Sequence, residues 1–118
     1  MDTPKAIMAF SQSEKIKSGV IWLSHMLEIS GSFPQQETQA CQQIITALTN
    51  MILQEIQLAK KLAADEKWDI AEKNIEQALV MVVSGVGAES IIHLTQALSH
   101  ITSIGQRSMS FLKEKGLL

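Results

Sequence analysis

The stretch DEKWDIAEKNIEQALVMVV, residues Asp65–Val83, decides the fold class of this chain. It begins with acidic residues and ends in an uninterrupted apolar run, Ala78–Val83. A helix that is apolar on every side at one end must be covered by more than one neighbour. We therefore predict that this stretch is a central or interface helix of a helical bundle. Its main apolar face follows helical spacing and comprises Trp68, Ala71, Ile75, Ala78, Leu79 and Val82.

The first predicted helix has two alternative starts. Thr3 followed by Pro4 is typical of an N-cap and a first helical residue, whereas Ser11–Glu14 fits a capping box. With the second start, residues 1–10 would form a short arm or an extra helical turn. The helix is expected to end near Ile29, and its apolar face comprises Ile16, Val20, Leu23 and Leu27.

Two more helices are predicted, at about 34–64 and 88–115, because apolar residues recur there at helical spacing. Asp65 is expected to cap the third helix, and Gly85 to end it in a left-handed conformation. The predicted face of the second helix is broad and comprises Cys41, Ile44, Ile45, Leu48, Met51, Ile52, Ala59 and Leu62. That of the fourth comprises Ile91, Leu94, Leu98, Ile101, Met109 and Leu112, with Gly105 on the same side.

Short connections between consecutive helices favour antiparallel neighbours. We predict an all-α, antiparallel up-down four-helix bundle that forms a single domain over residues 1–118. Such a bundle needs one apolar stripe per helix, and Trp22, Met81 and Val83 add apolar surface beyond those stripes. We therefore predict a homo-oligomer, most simply a homodimer, or a docked protein partner, with these three residues at the interface.

The composition disfavours several functional classes. The net charge is −2, Arg107 is the one arginine, and aromatic residues make up 4% of the chain, which disfavours nucleic-acid binding. Cys41 is the one cysteine, so neither an internal disulfide nor a thiolate metal cluster is expected. The sequence shows no secretory signal and no apolar run of membrane-spanning length. We predict a cytoplasmic protein without membrane association.

Glu55 is the candidate buried carboxylate of the chain. Its helical neighbours are all apolar, and burying a carboxylate among them is costly unless the group is paired or protonated. Glu55 is therefore a candidate metal ligand, proton carrier or half of an interface ion pair. Alternatively, it lies at the edge of the apolar face or accepts a hydrogen bond from a hydroxyl such as that of Thr102 or Ser24.

A second candidate site lies on the fourth helix, where Glu89, His93 and His100 share one face. A carboxylate and an imidazole four residues apart can bind one metal, which gives a metal-binding four-helix bundle as an alternative function. This face lies opposite the predicted apolar stripe, so it also fits a solvated surface.

Two family resemblances complete the alternatives. His93 followed by Gln96 and Ala97 resembles the His-x-x-Lys-Gly motif of histidine phosphotransfer domains, although Gln and Ala replace Lys and Gly. This resemblance implies a phosphotransfer role for His93. The Trp68-to-Leu79 pattern resembles the second helix of a tetratricopeptide unit over about residues 55–83, without a second copy about 34 residues away. It implies protein–protein interaction.

Catalytic motifs are missing from the sequence. Gly85-Val86-Gly87 after an apolar run is similar to a phosphate-binding loop, but the run continues a helical pattern and Ser90 stands in place of the third glycine. We find no nucleophile with a base at a known spacing. The sequence therefore predicts a non-enzymatic helical interaction or assembly module without a cofactor.

Overall fold

The computed structural model of the chain describes residues 1–34 and 37–118. Within these residues, regular structure is entirely helical and the helices pack against one another in a bundle 54 Å long. The prediction of an all-α helical bundle is thereby confirmed. Over the described ranges the elements are α1 (Thr3–Ser30), α2 (Thr38–Leu62), α3 (Glu66–Val83), a 3-10 turn (Gly87–Glu89) and α4 (Ser90–Glu114).

Helix α1 is continuous from its first residue. Asp2 caps it, because its carboxylate accepts a hydrogen bond from the Lys5 amide at 2.8 Å, so the predicted cap at Thr3 is one residue late. The Ser11–Glu14 capping box lies inside the helix, and the alternative of a short arm at residues 1–10 is wrong. All four predicted core residues of α1, Ile16, Val20, Leu23 and Leu27, are buried.

The ends of α2 and α3 follow from local capping. Helix α2 begins at Thr38; the predicted start at about residue 34 leads into residues 35 and 36, which lie outside the described residues. Asp65 caps α3 by accepting a hydrogen bond from the Lys67 amide at 2.9 Å, as predicted. Gly85 adopts a φ of 84°, so it ends α3 in the left-handed conformation.

The core confirms the face predicted for α3, apart from half-buried Leu79. Trp68 is fully buried, and its indole nitrogen donates a hydrogen bond to the carbonyl of Ala63 at 3.1 Å. This contact satisfies the one polar atom of the largest core side chain and ties the α2–α3 connection to the core.

The buried face of α4 is rotated relative to the prediction. Ile91, Leu98 and Met109 are half-buried, while the small residues Ala97 and Ser108 are buried. The Ser108 hydroxyl donates to the Ile104 carbonyl at 2.8 Å, so its burial leaves no unpaired donor. Small and hydroxyl side chains allow close helix packing, whereas a search for large apolar residues overlooks them. The buried set is Ser90, Leu94, Ala97, Ile101, Ile104, Gly105, Ser108 and Leu112.

Each helix packs against two others. Helix α1 packs against α2 and α4, and α3 packs against the same two helices; in the described ranges, no Cα atom of α1 lies within 8 Å of one in α3, and the same holds for α2 and α4. The contact between α1 and α4 is the most extensive. Among the helices described, none has the length and apolar character that crossing a membrane requires.

Candidate interaction surface

The α1–α4 seam, which we define by Ser13, Gly105 and Ser108, is closed by small residues. A Cβ atom placed on Gly105 would lie 2.6 Å from the Ser13 hydroxyl oxygen and 3.4 Å from the Ser13 Cβ, so a larger residue requires the hydroxyl to move. The Ser13 hydroxyl donates to the Phe10 carbonyl at 2.9 Å. The hydroxyl groups of the seam are therefore hydrogen-bonded within the chain, and an open depression of about 310 Å³ lies beside Ser13 and Gly105.

Helices α1 and α2 meet differently. Residues later in α1 contact residues earlier in α2: Lys15 pairs with Glu55, and Gly19 lies against Ile52. The broad core face predicted for α2 is wrong in part, because only Ile45, Ile52 and Ala59 of its eight residues are buried. The other buried residues of α2 are Thr49 and Ile56, so the core takes one narrow stripe and leaves a second stripe outside.

This outer stripe and its neighbours on α1 form a surface that we call the α1–α2 face. Its members within Trp22–Ile29 and within Ile44–Met51 follow one another at intervals of three and four, so they project on one side; Met8, Leu58 and Leu62 lie beyond the Lys15–Glu55 pair. Trp22 is 64% exposed, Ile44 is 59% exposed and Met51 is 61% exposed. The α1–α2 face comprises Met8, Trp22, Met26, Ile29 and Phe33 with Ile44, Leu48, Met51, Leu58 and Leu62.

The face carries little charge. In the sequence, α2 has no acidic or basic residue between Glu37 and Glu55, and α1 has none from Ser18 to Leu27 apart from His25. Polar, uncharged side chains border the apolar stripe of α2 on its outer side, among them Gln43 and Asn50. A charge-depleted apolar centre with a polar border is the composition found at the core and rim of protein interfaces.

Glu55 ends the uncharged stretch of α2, and its ion pair with Lys15 separates Met8, Leu58 and Leu62 from the rest of the α1–α2 face. Its carboxylate lies 3.0 Å from the Lys15 ammonium and accepts a hydrogen bond from the Gln12 side-chain amide at 3.3 Å. The hydrogen bond from Lys15, followed by that from Gln12, lowers the pKa of Glu55 below its ordinary value, although burial opposes the shift.

Glu55 is therefore half-buried and ion-paired at the edge of the apolar surface. It does not use the hydroxyl of Ser24, which donates to its own helix at the Val20 carbonyl. Sequence reasoning missed Lys15 and Gln12 because both lie on another helix, and the neighbours of Glu55 along its own helix give no sign of them.

An open apolar depression of about 220 Å³ lies at one end of the α1–α2 face. Side chains of both helices and of the turn after α1 form its walls, and Ser30 is the one polar residue among them. The walls include Met26, Ile29, Phe33, Cys41 and Ile44. Trp22 precedes this depression along α1 and projects from the same face.

The predicted interface residues do not form one surface. Trp22 lies on α1, whereas Met81 and Val83 lie at the end of α3, a helix whose backbone is not adjacent to that of α1 within the described ranges. Val83 is exposed and Met81 is half-buried. The structure thus leaves Trp22 among the apolar residues of the α1–α2 face and separates it from the other two.

The histidine face of α4 is partly covered. His93 and His100 are half-buried, while Glu89 is exposed, because the rotation of α4 brings both histidines beside the core stripe. The His93 Nδ1 atom is shielded from solvent and has no hydrogen-bond partner among the described residues. Residues 1–34 and 37–118 contain no group of three His, Cys, Asp or Glu side chains arranged to hold a metal ion.

Comparison with known proteins does not assign the chain to a family. No protein-family model, curated protein or solved structure matches it.

Proposed function

We propose that this protein is a non-enzymatic helical interaction module that associates with itself through the α1–α2 face. The observation that supports this proposal is the exposure of large apolar side chains on a surface almost free of charge. Burying such a surface removes apolar area from water without stripping ions of their hydration, so association through it is favourable.

The size of the face supports the same function. Eight residues of the face are exposed, and their exposed fractions range from 40% to 64%. Side chains of this size offer roughly 60 to 120 Å² each, so the whole face presents on the order of 700 Å². A specific interface of standard size takes about 800 Å² from each partner.

We also infer an up-down order of the four helices, in which each helix runs opposite to its neighbours. Three contacts support this order, each joining the start of one helix to the end of another. Gln12 early in α1 bonds Glu55 late in α2, and Gln42 early in α2 bonds the Val82 carbonyl late in α3 at 2.9 Å. Arg107 late in α4 pairs with Asp65, which caps the start of α3.

Among the residues predicted at the interface, this proposal keeps Trp22 at its centre. Met81 and Val83 are placed outside the contact, since they belong to α3. The metal and phosphotransfer alternatives gain no support from half-buried His93 and His100.

Sedimentation equilibrium over a concentration series tests self-association. The monomer mass is 13.0 kDa, and we expect the average mass to rise toward twice that value as concentration increases. Ile44→Asp places a charge in the α1–α2 face and should keep the protein monomeric. The matched control is Ile92→Asp, because Ile92 is 65% exposed but lies on α4. A wild-type protein that stays at the monomer mass at every concentration would contradict the proposal.

A further inference from the structure

We propose that the partner on the α1–α2 face is a second copy of this chain, bound so that Trp22 of each copy fills the apolar depression of the other. This inference rests on the proposed function, since it names the partner and the contact for the same face. It makes the depression a binding site for an indole side chain.

The face carries both halves of such a contact. Trp22 projects as an exposed knob, and the depression lined by Ile29, Cys41 and Ile44 is an apolar hole. Along α1, the depression is centred about seven residues beyond Trp22, which corresponds to roughly 10 Å. A surface that carries a knob and a matching hole can pair with itself, because a two-fold axis midway between them places each knob in the partner's hole.

The position of that axis agrees with the charge distribution. Midway between Trp22 and the depression, the axis crosses α1 near Met26 and α2 near Ile45. The uncharged stretch of α2 between Glu37 and Glu55 is centred on Thr46, almost the same height. A dimer about this axis therefore overlaps the uncharged part of the face, and it leaves the Lys15–Glu55 pair at the rim, where both charges keep their water.

The buried area fits a dimer of moderate affinity. Met8, Leu58 and Leu62 lie beyond the overlap, so each copy buries on the order of 500 Å², at the low end of specific interfaces. We expect a dissociation constant on the order of 10 µM, with Trp22 as the dominant residue because buried tryptophans are the most frequent hot spots. Every copy of the chain carries the same α1–α2 face, so a second copy can cover it without another protein.

An exchange of knob and hole between two variants tests this contact. Trp22→Ala removes the knob and keeps the hole, whereas Cys41→Trp fills the hole from its own helix and keeps the knob. Each variant alone should dimerise at least about tenfold more weakly than wild type. Mixed together, they should form a heterodimer tighter than either homodimer, because one copy keeps a knob, the other keeps a hole, and the filled hole faces the shortened residue 22. Native mass spectrometry separates the three dimers by mass.

Matched variants control for folding and for nonspecific effects. Ile21→Ala shortens the neighbour of Trp22, and Gln39→Trp adds an indole two residues before Cys41 but outside the hole and the α1–α2 face; both should dimerise as wild type does. Circular dichroism should be unchanged in all four variants, since Trp22 and Cys41 are not core residues.

The outcomes separate the two proposals. A wild-type protein that remains monomeric overturns self-association and this contact together. A wild-type dimer that neither Trp22→Ala nor Cys41→Trp weakens leaves self-association intact and overturns the α1–α2 contact. If both variants dimerise more weakly but their mixture does not favour the heterodimer, Trp22 of each copy does not bind in the depression of the other.

Discussion

The α1–α4 seam and the α1–α2 face share helix α1 but differ in the size and exposure of their side chains. The seam uses glycine and serine, and its hydroxyls are bonded within the chain. The face uses tryptophan, methionine and isoleucine, and much of their area stays in water. The difference indicates that small residues bring the helices close together at the seam, although an open depression of about 310 Å³ lies beside it, while the face leaves large apolar side chains exposed to water.

The largest expected effect comes from replacing an isoleucine with alanine, once in the core beside the α1–α4 seam and once on the α1–α2 face. Ile101→Ala should lower the free energy of unfolding by about 3 kcal/mol, because Ile101 is fully buried on α4 and its loss leaves a cavity. Ile44→Ala should change it by less than about 0.5 kcal/mol at concentrations where the protein is monomeric, since Ile44 borders water. Urea unfolding of both variants measures the contrast, and equal losses would show that α2 is as tightly packed as α4.

A smaller effect distinguishes the two glycines at the helix contacts. Gly105→Ala should destabilise the protein by about 1 kcal/mol, because the new methyl group collides with the Ser13 hydroxyl and this cost exceeds the gain in helix propensity. Gly19→Ala should change its stability by less than about 0.5 kcal/mol, because the gain in helix propensity is offset by a tight contact of 3.3 Å between the new Cβ and Cγ1 of buried Ile52.

Thermal unfolding in a Ser13→Ala background provides the control for the glycine at the seam. Removing the hydroxyl removes the atom with which the new methyl group collides, so Gly105→Ala should no longer destabilise that variant. A similar loss in both backgrounds would mean that the seam does not depend on this close approach.

The smallest expected effect is the pH dependence contributed by Glu55 at the edge of the α1–α2 face. Its pKa is lower in the folded than in the unfolded chain, so the Lys15–Glu55 pair stabilises the protein fully above the unfolded value of about 4.3. This contribution disappears as the pH falls through the folded pKa. Because the pair is partly in water, we expect it to be worth less than about 1 kcal/mol.

Comparing wild type with Glu55→Gln at several pH values measures this contribution. The difference in unfolding free energy should be largest near neutral pH and vanish in acid, whereas Glu28→Gln, at an exposed position of α1, should show a much smaller difference. A difference for Glu55→Gln that does not depend on pH would show that the pair contributes nothing through its charge.

The sequence predicted the parts of the fold in which large apolar residues recur at helical spacing. Ile16 and Leu23 on α1 and Trp68 on α3 were assigned correctly to the core for this reason. The core face of α4 was misplaced because Ala97 and Ser108 are too small or too polar to be recognised as core residues. Helical periodicity also could not divide the broad apolar face of α2, since residues of the core stripe and the outer stripe differ by only one position, as Ile44 and Ile45 do.

The candidate surface was predictable only in part. The excess of apolar residues predicted exposed apolar area beyond the bundle core, and Trp22 is exposed, while its place at an interface stays a prediction. Whether Trp22 lies on the same surface as Met81 and Val83 depends on which helices are neighbours. The partners of Glu55 lie on a different helix, far away along the chain. Both depend on tertiary packing, which local spacing does not encode.

Hydroxyl-radical footprinting at low and high protein concentration tests the central claim most directly, because it reports the exposure of individual side chains. Trp22, Ile44 and Met51 should become protected as concentration rises, while equally exposed Val80 and Ile92 should be oxidised to the same extent throughout. This result would locate self-association on the α1–α2 face. Unchanged oxidation of Trp22, Ile44 and Met51, or protection of Val80 and Ile92 in their place, would contradict the account.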